Sequence, residues 1–376
     1  MSKITNIIGQ SAEGDNFFGR EKEIVNALEL LEDGNSLILA APRRVGKTSF
    51  ARRMIEKVSE KGWNGYYIDL EKSPTEADFV KHFLKELKGE KWWERFSPEQ
   101  LNIEIKDFSL EFKKQKQDIY HKIEKELPHN EDTLIVFDEL TVFFDNALKT
   151  EDGNLNDVKC LLDWLRGLRM EKGTKIRWIF CSSISIEHFT HKHNFSKTIN
   201  DFTRFKLDEL QGNEPKMLVQ ALANSKNVAF HDELIDYMLD RLGWNLPYFI
   251  QCYFRAVVEL IADGKTLSKE TIDEAYKNLL NTNYFYHWTE RLVYYENEKR
   301  FAKIVLNELS RTKNGRSKNN LYNLIFSELN DADKADEIFK PLLKLLETEG
   351  YIMNNNDRYS FRSPLLRDFW FNQFGK

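Results

Sequence analysis

The sequence predicts a mixed α/β protein: a mostly parallel sheet with helices on both faces, followed by a helical segment and a winged helix. Three observations carry this expectation. Four short apolar runs, SLILA (36–40), GYYIDL (65–70), TLIVF (133–137) and IRWIFCS (176–182), are continuous rather than alternating, as strands buried on both faces of a parallel sheet are. Helical patterns separate them, and strands alternating with helices make a parallel sheet. Beyond about residue 208 these runs stop, and helical spacing continues until two last short runs near the C-terminus.

Taken in order, the helical patterns are EKEIVNALELLED (21–33), KTSFARRMIEKVSEKG (47–62), EADFVKHFLKELKG (76–89) and VKCLLDWLRGLRMEKG (158–173). Each repeats apolar residues at three and four, and several close on glycine, which readily takes the left-handed conformation at a helix end. KWWERFSPEQLNIEIKDFSLEF (91–112) alternates as a small hairpin does, with Trp92 and Trp93 packing it onto its own domain or anchoring a partner. TRFKLDEL (203–210) reads as a further short strand that completes the sheet. PKMLVQALANSKN, DELIDYMLDRLG, LPYFIQCYFRAVVELIADG and KETIDEAYKNLLN then form a small helical domain. Helices over 301–311, 318–329 and 334–349 precede YIMNNNDRYSF, two strands around the NNND turn, and this order is a winged helix. The tail SPLLRDFWFNQFG closes as an amphipathic helix with its aromatics in the core. The expected domains are 1–207, 208–282 and 283–376.

With 376 residues the chain exceeds one ordinary core, and 41% hydrophobic with 31% charged residues is the composition of a folded, helix-rich protein. A net charge of -5 argues against coating nucleic acid by bulk charge and leaves room for a local basic patch. MSKITNIIGQ lacks a secretory apolar region, and no run approaches a membrane span, so the expectation is a cytoplasmic protein with no membrane partner. Cys160, Cys181 and Cys252, widely spaced in apolar surroundings, read as buried reduced thiols. HFTHKH (188–193) has no Cys or acidic partner at ligand spacing and reads as a solvated loop.

The chemistry concentrates in LILAAPRRVGKTSF (37–50), which follows the phosphate-loop pattern G-x-x-x-x-G-K-[ST] except that Ala41 replaces the first glycine. Backbone N–H groups of residues 43–48 form the anion cradle, and Gly46 lets the backbone approach a phosphate. Lys47 reaches the β- and γ-phosphates, and Thr48, in the first helical turn, puts its hydroxyl on Mg²⁺. Ala41 only ends the strand, which an alanine tolerates if φ stays negative. Ala41, Pro42, Arg43, Arg44 and Val45, with Gly46, Lys47, Thr48 and Ser49, are the candidate nucleotide contacts. Arg43 and Arg44 add charge to the loop.

A second motif has the chain order such a loop requires. TLIVFDE ends an apolar strand in Asp138 and Glu139, placing two carboxylates at the carboxyl edge of the sheet. Asp138 would hold the water shell of Mg²⁺, and Glu139 would orient and polarise an attacking water.

NFFGREKEI (16–24), the P-R-R-V-G-K-T loop, the D-E strand, the polar strand end CSS, GWNLPYF and the winged helix together resemble the archaeal-type ATPases. These lie near the STAND and origin-recognition branches of the AAA+ class, and the resemblance spans nearly the whole chain. It implies an AAA+-like P-loop NTPase sheet, a helical lid and ATP as ligand, although no residue discriminates against GTP. By the same resemblance Phe18, Gly19 and Arg20 cover the adenine, and Ser183 or its neighbour Ser182 is the polar sensor at the γ-phosphate. Pro247, with Gly243, belongs to a lid motif whose proline packs near the base; it replaces the Arg sensor of origin-recognition relatives, a departure that weakens fast hydrolysis. Arg204 is the first candidate for an activating arginine, with Arg166 and Arg169 as alternatives, each otherwise a surface ion-pair residue.

The presumed recognition helix mixes acidic and basic residues, whereas Arg311, Lys313, Arg316 and Lys318, helped by Arg358 and Arg362, form a basic cluster beside it. The resulting expectation is an Mg²⁺-dependent ATPase whose nucleotide state controls domain arrangement and the engagement of a partner protein, of DNA weakly, or of further copies in a nucleotide-dependent homo-oligomer. The alternative is a regulatory switch that holds nucleotide and turns over slowly or not at all.

Overall fold

The structure, a computed structural model, describes residues 4–88, 108–150, 153–182 and 185–375. Its contacts divide into two compact units, Glu21–Ala40 with Lys47–Leu207, and Met1–Arg20 with Ala41–Gly46 and Asp208–Lys376.

The first unit runs α1 (Glu21–Glu32), β1 (Leu37–Ala40), α2 (Lys47–Glu60), β2 (Asn64–Asp69), α3 (Glu76–Lys88), α4 (Phe108–Glu126), β3 (Thr133–Asp138), α5 (Leu140–Leu148), α6 (Leu155–Met170), β4 (Ile176–Cys181), α7 (Ile186–Lys192) and β5 (Thr203–Lys206). The five strands form one parallel sheet in the order β2-β3-β4-β1-β5. Every residue of β3 is buried, as its uninterrupted apolar sequence requires.

Alternation along these strands sorts side chains onto two faces. Ile38, Ile68, Ile135, Phe137, Trp178 and Phe180 join one core cluster with α3, α4, α5 and α6. Its centre is aromatic: Phe79 meets Phe137 edge-on with ring centroids 5.4 Å apart, and Phe83 meets Phe137 at 5.3 Å. Each such fully buried side chain contributes roughly 1.5–3 kcal/mol. The residues of opposite parity, Leu39, Tyr67, Val136, Asp138, Ile179 and Cys181, take the other face, and α2 packs against β2, β3 and β4. Asp138 therefore stands on the face of α2.

The second unit contains α8 (Glu214–Ser225), α9 (Asp232–Leu242), α10 (Pro247–Ala262), α11 (Lys269–Leu279), α12 (Tyr286–Glu290), α13 (Lys299–Ser310), β6 (Arg316–Ser317), α14 (Lys318–Leu329), α15 (Ala332–Thr348), β7 (Ile352–Asn355), β8 (Arg358–Phe361) and α16 (Pro364–Phe374). The short strands pair antiparallel in the order β6-β8-β7. Asn356 and Asp357, both with positive φ, make the mirror-image turn that suits a two-residue hairpin. Three helices and this hairpin form the winged helix. Ser317, Asp331 and Ser363 cap α14, α15 and α16 through side-chain oxygens. Arg291 and Glu349, both buried, form a two-pronged ion pair that also receives the Tyr295 hydroxyl at 3.2 Å.

Several expectations are corrected. HFTHKH is helical, not a loop: it lies in α7 and its C-cap, with the Ser185 hydroxyl accepting from the N–H of His188, and Ile186 and Phe189 buried. Cys160 is exposed, whereas Cys181 and Cys252 are buried, and all three are free thiols. Residues 108–112 begin α4 rather than end a hairpin, and Trp92 and Trp93 lie outside the described residues. The helix expected from residue 158 starts at Leu155, capped by Asn154, whose side chain accepts from the N–H of Asp157.

Candidate functional site

Asp138, 3% exposed, stands on the α2 face with both carboxylate oxygens hydrogen-bonded. Its Oδ2 accepts from the Thr48 hydroxyl at 2.7 Å and from the Tyr67 hydroxyl at 2.6 Å. Its Oδ1 accepts from the N–H of Glu139 at 3.0 Å and from the Cys181 thiol at 3.1 Å. Burial, and next the charge of Asp138, push the Tyr67 phenol and the Cys181 thiol far above their ordinary ranges, so both stay protonated and donate. Four donors from α2, β2, β4 and the strand end thus fix one carboxylate.

Lys47 and Thr48 are the first residues of α2, where backbone N–H groups lack intrahelical acceptors and the helix dipole favours an anion. Lys47 is buried despite its charge, and Ser49 follows in the same turn. Before them, Gly46 has φ 97° and Arg44 φ 64°; a Cβ added at Gly46 would meet nothing within 4 Å. Left-handed φ at Gly46 is what requires glycine there.

Glu139 takes the left-handed conformation, φ 56° and ψ 32°, immediately before α5. Such backbone in a non-glycine residue costs about 1–3 kcal/mol and persists where surroundings enforce it. The Ser182 hydroxyl donates to Glu139 Oε2 at 3.3 Å and accepts from the N–H of Thr141 at 3.3 Å. Ser182 therefore stands beside the second carboxylate; Ser183, the other sensor candidate, lies outside the described residues.

Loop residues 41–46 belong to the second unit. The buried Arg20 guanidinium donates to the carbonyl of Val45 at 2.9 Å and to that of Asp208 at 2.7 Å, and the Arg20 N–H donates to Glu214 at 2.6 Å. Gly19, after the half-buried Phe18, has φ 70°, and an added Cβ would meet the Glu214 carboxylate at 2.9 Å. Arg44 lies 4.6 Å over the Tyr248 ring. Burial, then the charges of Arg44 and Arg43, push the His287 imidazole down to about 2. Pro247 opens α10, where its fixed φ suits the first turn. Gly243 caps α9 with φ 67°.

Of the arginines singled out for activation, Arg204 is exposed on β5 and pairs with Glu187. Arg166 approaches Asp201 at 3.8 Å. Arg169 is no surface residue: its side chain is 2% exposed and donates to Asp201 at 2.7 Å and to the carbonyl of Thr198 at 2.6 Å. In the winged helix, Arg316 donates to Glu308 at 2.6 Å, Arg358 to the carbonyl of Asn314 at 2.6 Å, and Arg362 pairs with Asp208 while lying 4.8 Å over Trp244. Arg311 and Lys313 remain exposed. The basic cluster is thus partly spent on the domain's own contacts.

Tyr67 and Cys181 were not evident as site residues in the sequence. The available signal was positional, since each sits at or near the carboxyl end of a predicted strand.

No protein-family model and no curated protein matches the sequence. Among solved structures, the chain is similar to a Walker-type ATPase of Pyrococcus abyssi at TM-score 0.64 and 17% identity, covering 97% of this chain and 99% of that one. It is also similar to the ORC2 protein of Aeropyrum pernix, solved as ADPNP–ADP complexes, at TM-score 0.54 and 13% identity, covering 96% of each chain. At these identities the likeness is one of fold: a parallel-sheet core with flanking helices, further helices and a smaller antiparallel sheet. Among the described residues, no helix is long and apolar enough to cross a membrane.

Proposed function

We propose that this AAA+-like protein is a cytoplasmic, magnesium-dependent ATPase, slow by itself, whose nucleotide state governs domain arrangement and the engagement of a partner. The observation that carries the reading is the hydrogen bond from Thr48 to Asp138, which joins the phosphate-loop motif to the carboxylate strand. A hydroxyl and a carboxylate are hard oxygen donors, the set that suits Mg²⁺ held partly by substrate phosphates. Thr48 and Asp138 would hold the ion; bound there, it would neutralise charge on the phosphates.

The chain's own residues supply the remaining roles. Backbone N–H groups of residues 43–48 and the Lys47 ammonium bind and orient the phosphates, with Ala41, Pro42 and Ser49 completing the loop. Glu139 orients water against the γ-phosphorus and accepts its proton as the bond to the β–γ bridging oxygen breaks, releasing ADP and phosphate. Ser182 holds Glu139 in place. Within the second unit, Arg20 ties Val45 to Asp208 and so steadies the loop from its own side.

Slow turnover follows from the arginines. Arg204, the exposed candidate, is engaged with Glu187, so an activating arginine reaches the site through a partner or a second copy. The switch reading, in which nucleotide is held with little turnover, draws on the same ion pair and on the Ser182–Glu139 contact. DNA engagement through the wing is weak in this account, because Arg316, Arg358 and Arg362 already have acceptors. ATP hydrolysis followed over a wide range of protein concentration, with and without duplex DNA, tests the proposal. Turnover per chain that rises with concentration supports assembly, and absence of turnover in every condition with nucleotide bound leaves the switch.

A further inference from the structure

We infer that Tyr67 is a positioning residue for the metal-side carboxylate, holding Asp138 in the orientation in which Thr48 meets it. The inference rests on the nucleotide-site reading above and extends it to a residue on β2. A carboxylate oxygen has two lone pairs. Those of Asp138 Oδ2 go to Thr48 at 2.7 Å and to Tyr67 at 2.6 Å. Thr48 belongs to the phosphate loop and has an alternative task on the ion; Tyr67 has none, so it is the constant anchor of that oxygen.

Three features hold the anchor itself in place. Tyr67 pairs in register with Val136, two residues before Asp138, so its side chain rises on the same face of the sheet. The Arg52 guanidinium lies 4.1 Å over its ring, from a position one helical turn beyond Thr48 on α2. The hydrogen bond itself is short, 2.6 Å, and one from a hydroxyl to a carboxylate is among the stronger ones. Without it, the carboxylate keeps its donors on Oδ1 and turns about that side, taking Oδ2 away from Thr48. A simple packing role for Tyr67 makes a different forecast, since loss of the hydroxyl then changes stability and leaves metal selectivity alone.

The test compares wild type and Tyr67→Phe as full chains, using Mn²⁺ as the spectroscopic probe. ADP affinity is measured in chelator, and Mn²⁺ affinity of the ADP complex is measured by electron paramagnetic resonance. The expected result is Mn²⁺ binding weakened by about tenfold, the scale of one such hydrogen bond, with metal-free ADP affinity within about twofold. Mn²⁺ affinity that is unchanged or tighter, or an equal loss with and without metal, overturns the inference. Wild type that binds no ADP at all overturns the nucleotide reading instead. If Tyr67→Phe fails to fold, Arg52→Met removes the guanidinium that lies over the ring; it should give a smaller loss of the same metal-selective kind, and no selective loss overturns the inference.

Discussion

Thr48 and Asp138, 90 residues apart in the chain, are joined by a 2.7 Å hydrogen bond. The sheet order explains how. β3 is separated from β1 only by β4, and α2, which follows β1, packs across β2, β3 and β4. Alternation then aims Asp138, rather than Phe137, at that helix. The contact depends on topology and on strand parity together.

The alanine in place of the first loop glycine is expected to be tolerated. Ala41 has no positive φ, unlike Arg44 and Gly46. Ala41→Gly is expected to leave ATP affinity within a few-fold and to lower stability by roughly 0.5–1 kcal/mol, through the greater freedom of glycine in the unfolded chain. Titration with a fluorescent ATP analogue checks this, and a gain of tenfold or more contradicts it.

Gly350 is expected to resist replacement. It has φ 85°, and an added Cβ would stand 2.7 Å from the Trp244 ring and 2.8 Å from Pro42 Cβ. Gly350→Ala combines backbone strain with overpacking, for a destabilisation of about 2–4 kcal/mol. Denaturant unfolding measures it, and a change under about 0.5 kcal/mol would show that the neighbours yield freely.

The buried Arg291–Glu349 pair makes a sharper case. Arg291→Met leaves Glu349 buried beside Tyr295 without its counter-charge, at an expected cost of about 3–5 kcal/mol. The double variant Arg291→Met with Glu349→Leu should recover most of that loss. Recovery of none of it indicates that lost packing, not the stranded charge, dominates.

His287 makes stability depend on pH. Its folded-state value lies far below the ordinary 6.5, so near pH 5 the unfolded imidazole carries a proton that the folded one does not. Protons then favour unfolding: stability falls as pH drops below about 6.5 and goes on falling toward the folded value. The slope is at most about 1.4 kcal/mol per pH unit, reduced by the ring's partial exposure. His287→Gln should flatten the melting profile between pH 7 and pH 5; an unaltered slope contradicts the assignment.

Continuous apolar runs made the sheet legible, because burial on both faces leaves no polar alternation to confuse the reading. Thr48, Asp138 and Glu139 were legible because strand ends and helix starts are local signals. Tyr67 and Cys181 were not, since their meeting at Asp138 depends on the register of β2 and β4 against their neighbours. Val158, Leu161, Leu162 and Leu165 trace the buried stripe of α6, and Cys160 falls off it, which is why its thiol is exposed. Arg169 continues that stripe four residues after Leu165, which explains a burial that its charge conceals. In HFTHKH the helix was marked only by Ser185, a cap three residues before His188. α5 carried no cap signal at all, because it starts from the left-handed Glu139, whose side chain makes no capping bond.

The central claim is that one constellation binds ATP through Lys47 and hydrolyses it through Glu139. The most direct measurement is Mg²⁺–ATP binding and single-turnover hydrolysis by wild type, Lys47→Ala and Glu139→Gln side by side. Lys47 offsets phosphate charge in the ground state, whereas Glu139 acts on water in the transition state, so the two losses should separate. Lys47→Ala is expected to abolish binding, and Glu139→Gln to bind within a few-fold of wild type while turnover falls by about 10²-fold or more. Equal ATP binding by wild type and Lys47→Ala, or undiminished turnover in Glu139→Gln, would contradict the account.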